Sequence, residues 1–173
     1  MKKDFDLQKF YRVYYPAVAS LVTSKDNMMA VAWQCPLSKS PPKFGVSLAQ
    51  KRYTYKLIEE TKEFAVNFLE NKYLEDLWYC GSNSGENVDK FKETNLTPED
   101  AEKINSKIIK EAVGVIECKL DKMVETGDHY FVVGDVVNVK AEEDYLENPL
   151  KYKRPYHFSG KNFGTTSGEK LEL

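Results

Sequence analysis

The sequence lacks the features that mark membrane, secreted and nucleic-acid-binding proteins. No apolar run approaches the roughly 18 residues that a membrane span needs. The first residues are charged and aromatic, without the apolar region of a signal peptide, so we expect no leader. Lys and Arg total 25 against 27 Asp and Glu, whereas a nucleic-acid-binding domain usually has a basic excess. We therefore expect neither a membrane nor a nucleic-acid partner.

Cysteine is scarce as well. Cys35, Cys80 and Cys118 are odd in number, widely spaced and free of any C-x-x-C pair, which argues against a disulfide framework. We expect a cytoplasmic protein with reduced thiols that pack as small hydrophobic groups. A redox role for Cys35 is the alternative.

Several catalytic signatures are also missing. There is no G-x-G-x-x-G after a strand, no Walker A loop and no G-x-S-x-G elbow. The two histidines, His129 and His157, have no metal-ligand spacing with cysteines or acidic residues. These absences disfavour metal-dependent hydrolysis and Ser-His-Asp chemistry, and we expect no metal site.

Strand-forming segments, by contrast, are plentiful. The 173 residues are 42% hydrophobic and 13% aromatic, without repeats or linkers, which predicts a single domain over residues 1–173. Alternating and β-branched runs predict strands at 17–24, 28–35, 44–48, 64–69, 112–125 and 129–142. Asn27 is expected at the turn of the first hairpin, and the Pro-rich residues 36–43 are expected to be a connecting loop.

Helices are predicted between these strands rather than in regular alternation with them. The expected helices begin at Thr54, run in two pieces over 73–92 and begin again at Thr97, with Pro98 in the first turn. This order disfavours a doubly wound parallel sheet. It favours a mainly β or α+β fold, an antiparallel β-barrel with inserted helices.

The stretch S-L-A-Q-K-R-Y-T-Y-K-L-I-E-E, residues 47–60, places two cations and a hydroxyl where a strand becomes a helix. A helix N-terminus offers unpaired N–H groups and about half a positive charge. With Thr54 at the cap and Lys51 and Arg52 before it, this is the chemistry of a phosphate site. The alternative is an ordinary helix cap beside common surface cations.

The strand N-M-M-A-V-A-W and the loop before Lys90 each allow two readings. The strand either buries Met29, Val31 and Trp33 in a core or lies along a flat aromatic ligand, with Trp33 bordering the pocket. Lys90, which follows S-N-S-G-E-N-V-D, is either a solvated lysine or a second anion contact.

The segment T-G-D-H and the aromatic tail also allow two interpretations each. His129 follows a tight turn and is either structural or free to transfer a proton or orient a ligand near neutral pH. Phe158 and Phe163 in the tail either pack plainly or form a lid over a ring.

Taken in order, these segments resemble the flavin reductase-like family, with flavoredoxins and archaeal FMN-binding ferric or flavin reductases as the most similar members. The R-Y-T and G-D-H elements, correctly spaced with S-G…D-K-F, carry a resemblance that runs from about Val18 to Phe163. It implies a six-stranded antiparallel Greek-key split β-barrel that forms a homodimer and binds FMN near the subunit interface.

The resemblance also implies roles for individual residues. Arg52 and Thr54 match the corner that holds the FMN phosphate, and Lys90 matches a second phosphate-side contact. His129 matches the histidine that lies by the flavin, and it is the expected catalytic residue. The full set of implied cofactor-binding residues is Asn27, Met28, Met29, Ala30, Trp33, Ser47, Leu48, Ala49, Arg52, Tyr53, Thr54, Lys90, His129 and Phe163.

Three functions follow from the resemblance. The first is an FMN-containing reductase that takes hydride from NAD(P)H and passes electrons to flavin, ferric complexes or a redox protein. The second is a flavoredoxin-type electron carrier that a protein partner reduces. The third is a domain that binds flavin without redox turnover. The residues do not distinguish NADH from NADPH.

Overall fold

The computed structural model describes residues 2–4, 6–145 and 147–166. Within this part of the chain the strands are β1 (Ala17–Val18), β2 (Ser20–Ser24), β3 (Asn27–Val31), β4 (Gln34–Lys39), β5 (Pro42–Leu48), β6 (Glu63–Phe68), β7 (Pro98–Asp100), β8 (Lys107–Ile109), β9 (Gly114–Glu125), β10 (Tyr130–Ala141), β11 (Pro155–Ser159) and β12 (Asn162–Thr165). The α-helices are α1 (Tyr11–Tyr14), α2 (Tyr53–Thr61), α3 (Leu74–Ser82) and α4 (Lys90–Glu93).

The strands form one large antiparallel sheet and two small ones. The large sheet has seven strands in the order β3-β2-β6-β9-β10-β5-β4, and the small sheets are β1-β11-β12 and β7-β8. The long hairpin of β9 and β10 lies between β6 and β5 and joins the two halves of the large sheet. The mainly β, antiparallel fold class is therefore confirmed, while closure into a six-stranded Greek-key barrel stays a prediction.

Three local expectations were wrong, and one segment for which no element was predicted, the tail, forms a hairpin. Residues 98–100, expected in a helix, form β7 and pair with β8. The expected loop 36–43 contributes to β4 and β5. The prolines are tolerated there because β4 is an edge strand and Pro42 begins β5. Asn27 begins β3 rather than occupying the turn, and the aperiodic tail folds into the hairpin β11-β12.

Two apolar cores hold the helices against the large sheet. The first packs one face of α2 under the sheet, where Tyr55 and Ile58 meet Phe64 and Val132. This agrees with the helical spacing of the apolar residues that predicted α2. The second core joins α3 to β2 and β3 and includes Leu21, Met28, Leu69, Leu77 and Cys80.

These two packings determine which backbone ends meet. α2 begins directly after β5, and the end of α3 lies against β3, so the start of one helix and the end of the other flank the same strand. No helix in the described residues combines the length and apolar character needed to cross a membrane. The place where β3, β5, α2 and α3 converge holds the candidate site.

Candidate functional site

A cleft runs along β3, and three adjoining pockets share its wall. The central pocket, of about 210 Å³, is lined by Tyr15, Met29, Ala30, Val31, Ala32, Trp33, Ser47, Leu48, Ala49, Arg52, Gly81, His129 and His157. The basic pocket, of about 260 Å³, continues from it through Met29, Arg52 and Gly81. The aromatic pocket, of about 200 Å³, adjoins the central pocket at Ala30–Ala32 and His157.

The basic pocket contains the start of α2. Arg52, in extended conformation, is the residue before the first helical turn. Thr54 does not cap the helix, contrary to expectation: it lies inside the first turn, and its Oγ1 accepts a hydrogen bond of 2.8 Å from Asn27 Nδ2. The N–H groups of Tyr53 and Thr54 donate to no acceptor in the described chain. This helix end therefore keeps two free donors beside a guanidinium group.

Lys90 lies on the other side of the basic pocket. The expected alternative of a solvated lysine is wrong, since Lys90 is only 3% exposed. Its Nζ donates to the carbonyl oxygens of Met28 (2.7 Å) and Cys80 (2.8 Å). Burial lowers the pKa of Lys90 below its ordinary 10.5, and the positive charge of Arg52 lowers it further. Two carbonyl oxygens do not neutralise this buried ammonium group.

No carboxylate compensates these two cations in the part of the chain that is described. Neither Arg52 nor Lys90 has an ion pair there. Glu86 lines the same pocket, but its Oε1 pairs with Lys56 Nζ at 2.8 Å, and that pairing lowers the pKa of Glu86. Cys80 contributes no thiolate, because burial raises its pKa to about 12. The basic pocket is thus electrostatically suited to an anion.

The central pocket ends in a cluster of tilted rings. Trp33 lies between Tyr11 and His129, with ring centroids 5.8 Å and 5.1 Å away. His129 Nδ1 lies 2.8 Å from Asp128 Oδ1, and this contact lowers the pKa of the Asp128 carboxyl. The Trp33 carbonyl accepts a hydrogen bond of 2.8 Å from Ser47 N–H, which fixes the Trp33 backbone against the end of β5.

The structure gathers most of the predicted site residues in this cleft. Those that line the central pocket are Met29, Ala30, Trp33, Ser47, Leu48, Ala49, Arg52 and His129, and those that line the basic pocket are Met29, Arg52, Tyr53, Thr54 and Lys90. Asn27 and Met28 do not line either pocket. Met28, not Met29, is the fully buried methionine of β3.

Phe163 is placed apart, in the aromatic pocket. Its ring lies 6.2 Å from Trp78 and 5.0 Å from His157. The remaining side chains of that pocket are small or apolar, and its lining is completed by Ala19, Ala30, Val31, Ala32, Leu77, Gly81 and Ser82.

Sequence reasoning missed several lining residues. Tyr15 and His157 both line the central pocket, and their rings are 5.0 Å apart. Gly85 lines the basic pocket, where a Cβ would lie 1.9 Å from Asn27 Oδ1. The available signal was the S-G of the loop before Lys90, since glycine often marks a close backbone approach.

The chemistry of the cleft fits an elongated ligand with a phosphate at one end and a flat ring system at the other. Arg52, Lys90 and the two free N–H groups of α2 suit the phosphate. The exposed edge of β3 and the tilted rings of Trp33 and His129 suit a planar ring. FMN has this form, so the residues present fit that cofactor.

Comparisons with known proteins agree with this description. A family model described as "Flavin reductase like domain" matches residues 11–160. An uncharacterized protein of Archaeoglobus fulgidus is 37% identical over 164 residues, which cover 91% of this chain and 93% of the relative.

Solved structures show the same fold. The flavoredoxin of Desulfovibrio vulgaris (Miyazaki F) has a TM-score of 0.88 and 29% identity, covering 100% of this chain and 97% of its own. An FMN-binding protein of Thermus thermophilus has a TM-score of 0.86 and 27% identity, covering 100% and 98%. The chain belongs to the flavin reductase-like family.

Proposed function

We propose that this protein is an FMN-binding oxidoreductase that takes hydride from NAD(P)H and passes electrons to a flavin, a ferric complex or a redox protein. The observation that carries the proposal is the pair of cations, Arg52 and Lys90, without carboxylate partners in the described chain, at one end of a cleft with a ring-lined far end. We place it in the cytoplasm, as a single domain over residues 1–173.

The chain's own residues divide the work of holding FMN. Arg52, Lys90 and the N–H groups of Tyr53 and Thr54 bind the phosphate. Asn27 holds Thr54 in place through its amide hydrogen bond rather than lining the pocket. Met29 and Ala30 form the wall along the ribityl chain and the ring. The far end is bordered by Trp33, Ser47, Leu48 and Ala49, and the His129 ring contacts Trp33 there at a tilt of 42°.

When bound, FMN supplies hydride acceptance from a nicotinamide and onward transfer of one or two electrons. The residues of the cleft bind and orient it, and none of them needs to act as a nucleophile. His129 orients the ring or the nicotinamide, with its imidazole positioned by Asp128 and Trp33.

A homodimer is part of the proposal. The N-terminal arm, residues 6–16, exposes Leu7 (87%), Phe10 (69%) and Val13 (85%) beside an apolar pocket at Phe131. Apolar groups grouped in this way favour burial against a partner surface, here a second copy. Light scattering of the purified protein should give about twice the 19.9 kDa chain mass. A monomer at micromolar concentration would contradict the dimer.

A flavoredoxin-type carrier is the second candidate, favoured by the similarity to the Desulfovibrio flavoredoxin over the whole chain. Such a carrier keeps FMN but is reduced by a protein partner, so NAD(P)H alone reduces it poorly.

The experiment is an absorption spectrum of the purified protein, followed by anaerobic addition of NADH and then NADPH. Flavin bands that bleach with one of them support the reductase and identify its donor. Bands that persist until dithionite is added favour the carrier. A bound flavin that neither a nicotinamide nor a redox protein reduces would indicate binding without turnover. Failure to retain added FMN, together with no oxidation of NAD(P)H when free FMN is supplied, would overturn both candidates.

A further inference from the structure

The aromatic pocket adjoins the two pockets that the proposed FMN site uses and shares six of its ten lining residues with them. Of its lining residues only Ala30–Ala32, Gly81, Ser82 and His157 also line a neighbouring pocket. Leu77, Trp78 and Phe163 belong to it alone among these three pockets, and they come from α3 and β12. The aromatic pocket therefore opens to the same cleft from the side of the C-terminal hairpin.

Its size and lining select a particular kind of ligand. The volume of about 200 Å³ exceeds the roughly 150 Å³ that suffices to bind benzene in an apolar cavity. It suits a single six-membered ring with small substituents, whereas the three fused rings of a second flavin need more room. The lining contains no Lys, Arg, Asp or Glu, and Lys161 Nζ lies 5.9 Å from the centroid of the Trp78 ring. A multiply charged ferric chelate would therefore lose solvation with little compensation inside the pocket.

The aromatic side chains form one wall of the pocket. Phe163 meets Trp78 edge to face, at an interplanar angle of 80°, and His157 is tilted by 45° to Phe163. These rings contact one another, so a planar ligand would pack against their free faces and edges rather than between them. Ser82 adds one polar group: its Oγ donates no hydrogen bond in the described chain and can donate to a carbonyl oxygen.

We infer that the aromatic pocket binds a single-ring quinone, which is the electron acceptor of the proposed oxidoreductase. The inference rests on the proposed function for the source of electrons. The reaction balances as NAD(P)H + H⁺ + quinone → NAD(P)⁺ + hydroquinone, with two electrons and one proton taken from the nicotinamide as hydride and the second proton taken from solvent. Phe163 and Trp78 hold the ring, and Ser82 Oγ–H donates to one quinone oxygen.

The binding test uses the two tryptophan indole N–H signals of the ¹⁵N-labelled, FMN-loaded protein. Trp78 lies in the aromatic pocket and Trp33 in the central one, so each signal reports its own pocket. The probe is duroquinone, whose four methyl groups block addition of cysteine thiols. We expect saturable movement of the Trp78 signal, with Trp33 much less affected. A Trp78 signal that stays fixed up to the solubility limit overturns the inference.

Two variants on the same hairpin sharpen the test. Phe163→Leu should weaken duroquinone binding at least fivefold, whereas Phe158→Leu, which changes a 43% exposed ring outside the pocket, should leave it within twofold. Circular dichroism verifies that both variants fold. Binding in Phe163→Leu within twofold of the parent would also overturn the inference.

Turnover distinguishes this inference from the proposed function. A protein that oxidises NAD(P)H with free FMN or ferric citrate but neither binds nor reduces duroquinone contradicts the quinone site alone. A protein whose Trp78 signal moves with duroquinone but which neither retains FMN nor oxidises NAD(P)H when free FMN is supplied contradicts the proposed function, and with it the role of the quinone as acceptor.

Discussion

Two of the buried charged residues in the described chain, Glu117 and Lys90, are satisfied in opposite ways. Under the loop 101–106, the carboxylate of Glu117 is fully buried and accepts from the N–H groups of Glu102 (3.2 Å) and Lys103 (2.7 Å) and from Asn138 Nδ2 (2.9 Å). At the basic pocket, Lys90 is nearly as buried, but the charged group closest in effect to it is another cation, Arg52.

The difference separates a structural charge from a binding charge. Glu117 has its hydrogen bonds supplied by the chain itself, so removing it leaves buried donors without acceptors. Lys90 pairs only with carbonyl oxygens, and like charge stands beside it, so its environment improves when an anion enters. The first site is complete in the folded chain, whereas the second is completed by a ligand.

The largest expected effect is on the structural side of this comparison. Glu117→Ala should lower the free energy of unfolding by about 3 kcal/mol, because Glu102 N–H, Lys103 N–H and Asn138 lose their acceptor. Urea unfolding measures it. Glu111→Ala is the matched control: this partly exposed carboxylate accepts only Thr97 N–H, and its loss should cost about 1 kcal/mol or less. Equal losses in the two variants would contradict the account of Glu117.

The next largest effect is expected when the binding charge, Lys90, is removed. Lys90→Met should weaken FMN binding about 30-fold, roughly 2 kcal/mol, because a charged donor to the phosphate is lost. The free energy of unfolding of the FMN-free variant should stay within about 1 kcal/mol of the parent, since lost hydrogen bonds and relieved burial of a charge offset each other. Fluorescence titration with FMN measures the affinity.

The control for this variant is Lys92→Met. Lys92 is on the same short helix, but its side chain is 80% exposed and it pairs with Asp89 at 2.9 Å. FMN affinity should be unchanged there. A loss as large as in Lys90→Met would mean that general surface charge, not the basic pocket, attracts FMN.

A smaller effect is expected at the far end of the cleft. His129→Ala should slow flavin reduction by the preferred nicotinamide about tenfold, because the ring or the nicotinamide is less well oriented, while FMN affinity falls less than threefold. Stopped-flow reduction and FMN titration measure the two quantities. Asp128→Asn keeps the imidazole and should slow reduction less. Unchanged reduction in His129→Ala would remove His129 from the site.

The smallest effect is the pH dependence that Lys90 contributes. Burial holds the pKa of Lys90 in the folded protein below its ordinary 10.5, the value expected in the unfolded chain. At a pH between the folded and the unfolded pKa, the unfolded chain binds one more proton than the folded protein. Lys90 therefore contributes a free energy of unfolding that rises with pH in that window. The buried thiols of Cys80 and Cys118, whose pKa is raised to about 12, contribute the opposite slope, so the Lys90 effect is the difference between the parent and Lys90→Met. FMN affinity should fall over the same window, since the phosphate favours the protonated amine.

Urea unfolding and FMN titration across the alkaline range measure the two slopes. The contribution of Lys90 to both slopes should be absent in Lys90→Met, which keeps the contribution of the buried thiols. An FMN affinity of the parent protein that does not change as pH rises would show that protonated Lys90 does not bind the phosphate.

The strongly periodic parts of the fold were predictable from the sequence. The apolar face of α2 and the long β9-β10 hairpin are local patterns, and the structure confirms both. β7 was not predictable, because Pro98 followed by two acidic residues is also typical of a helix start. Pairing with β8 decides the conformation of β7. The loop that follows β7 is fixed by hydrogen bonds to Glu117, which is distant in the sequence.

The same limit applies to the candidate site. The order of the motifs predicted most residues that the cleft brings together, although their roles stay predictions. The burial of Lys90 was not predictable, because its acceptors at Met28 and Cys80 lie 62 and 10 residues away along the chain. His157 had no local signal, since its place in the cleft comes from pairing of the tail with β1.

The central claim is that the basic pocket binds the phosphate of the flavin, and comparison of FMN with riboflavin tests it most directly. Riboflavin has the same ring and ribityl chain without the phosphate. We predict that FMN binds about 150-fold more tightly, roughly 3 kcal/mol for two charge-assisted contacts, and that the ratio falls towards one in the Arg52→Gln, Lys90→Met double variant. Equal affinity of the parent protein for FMN and riboflavin would contradict the account.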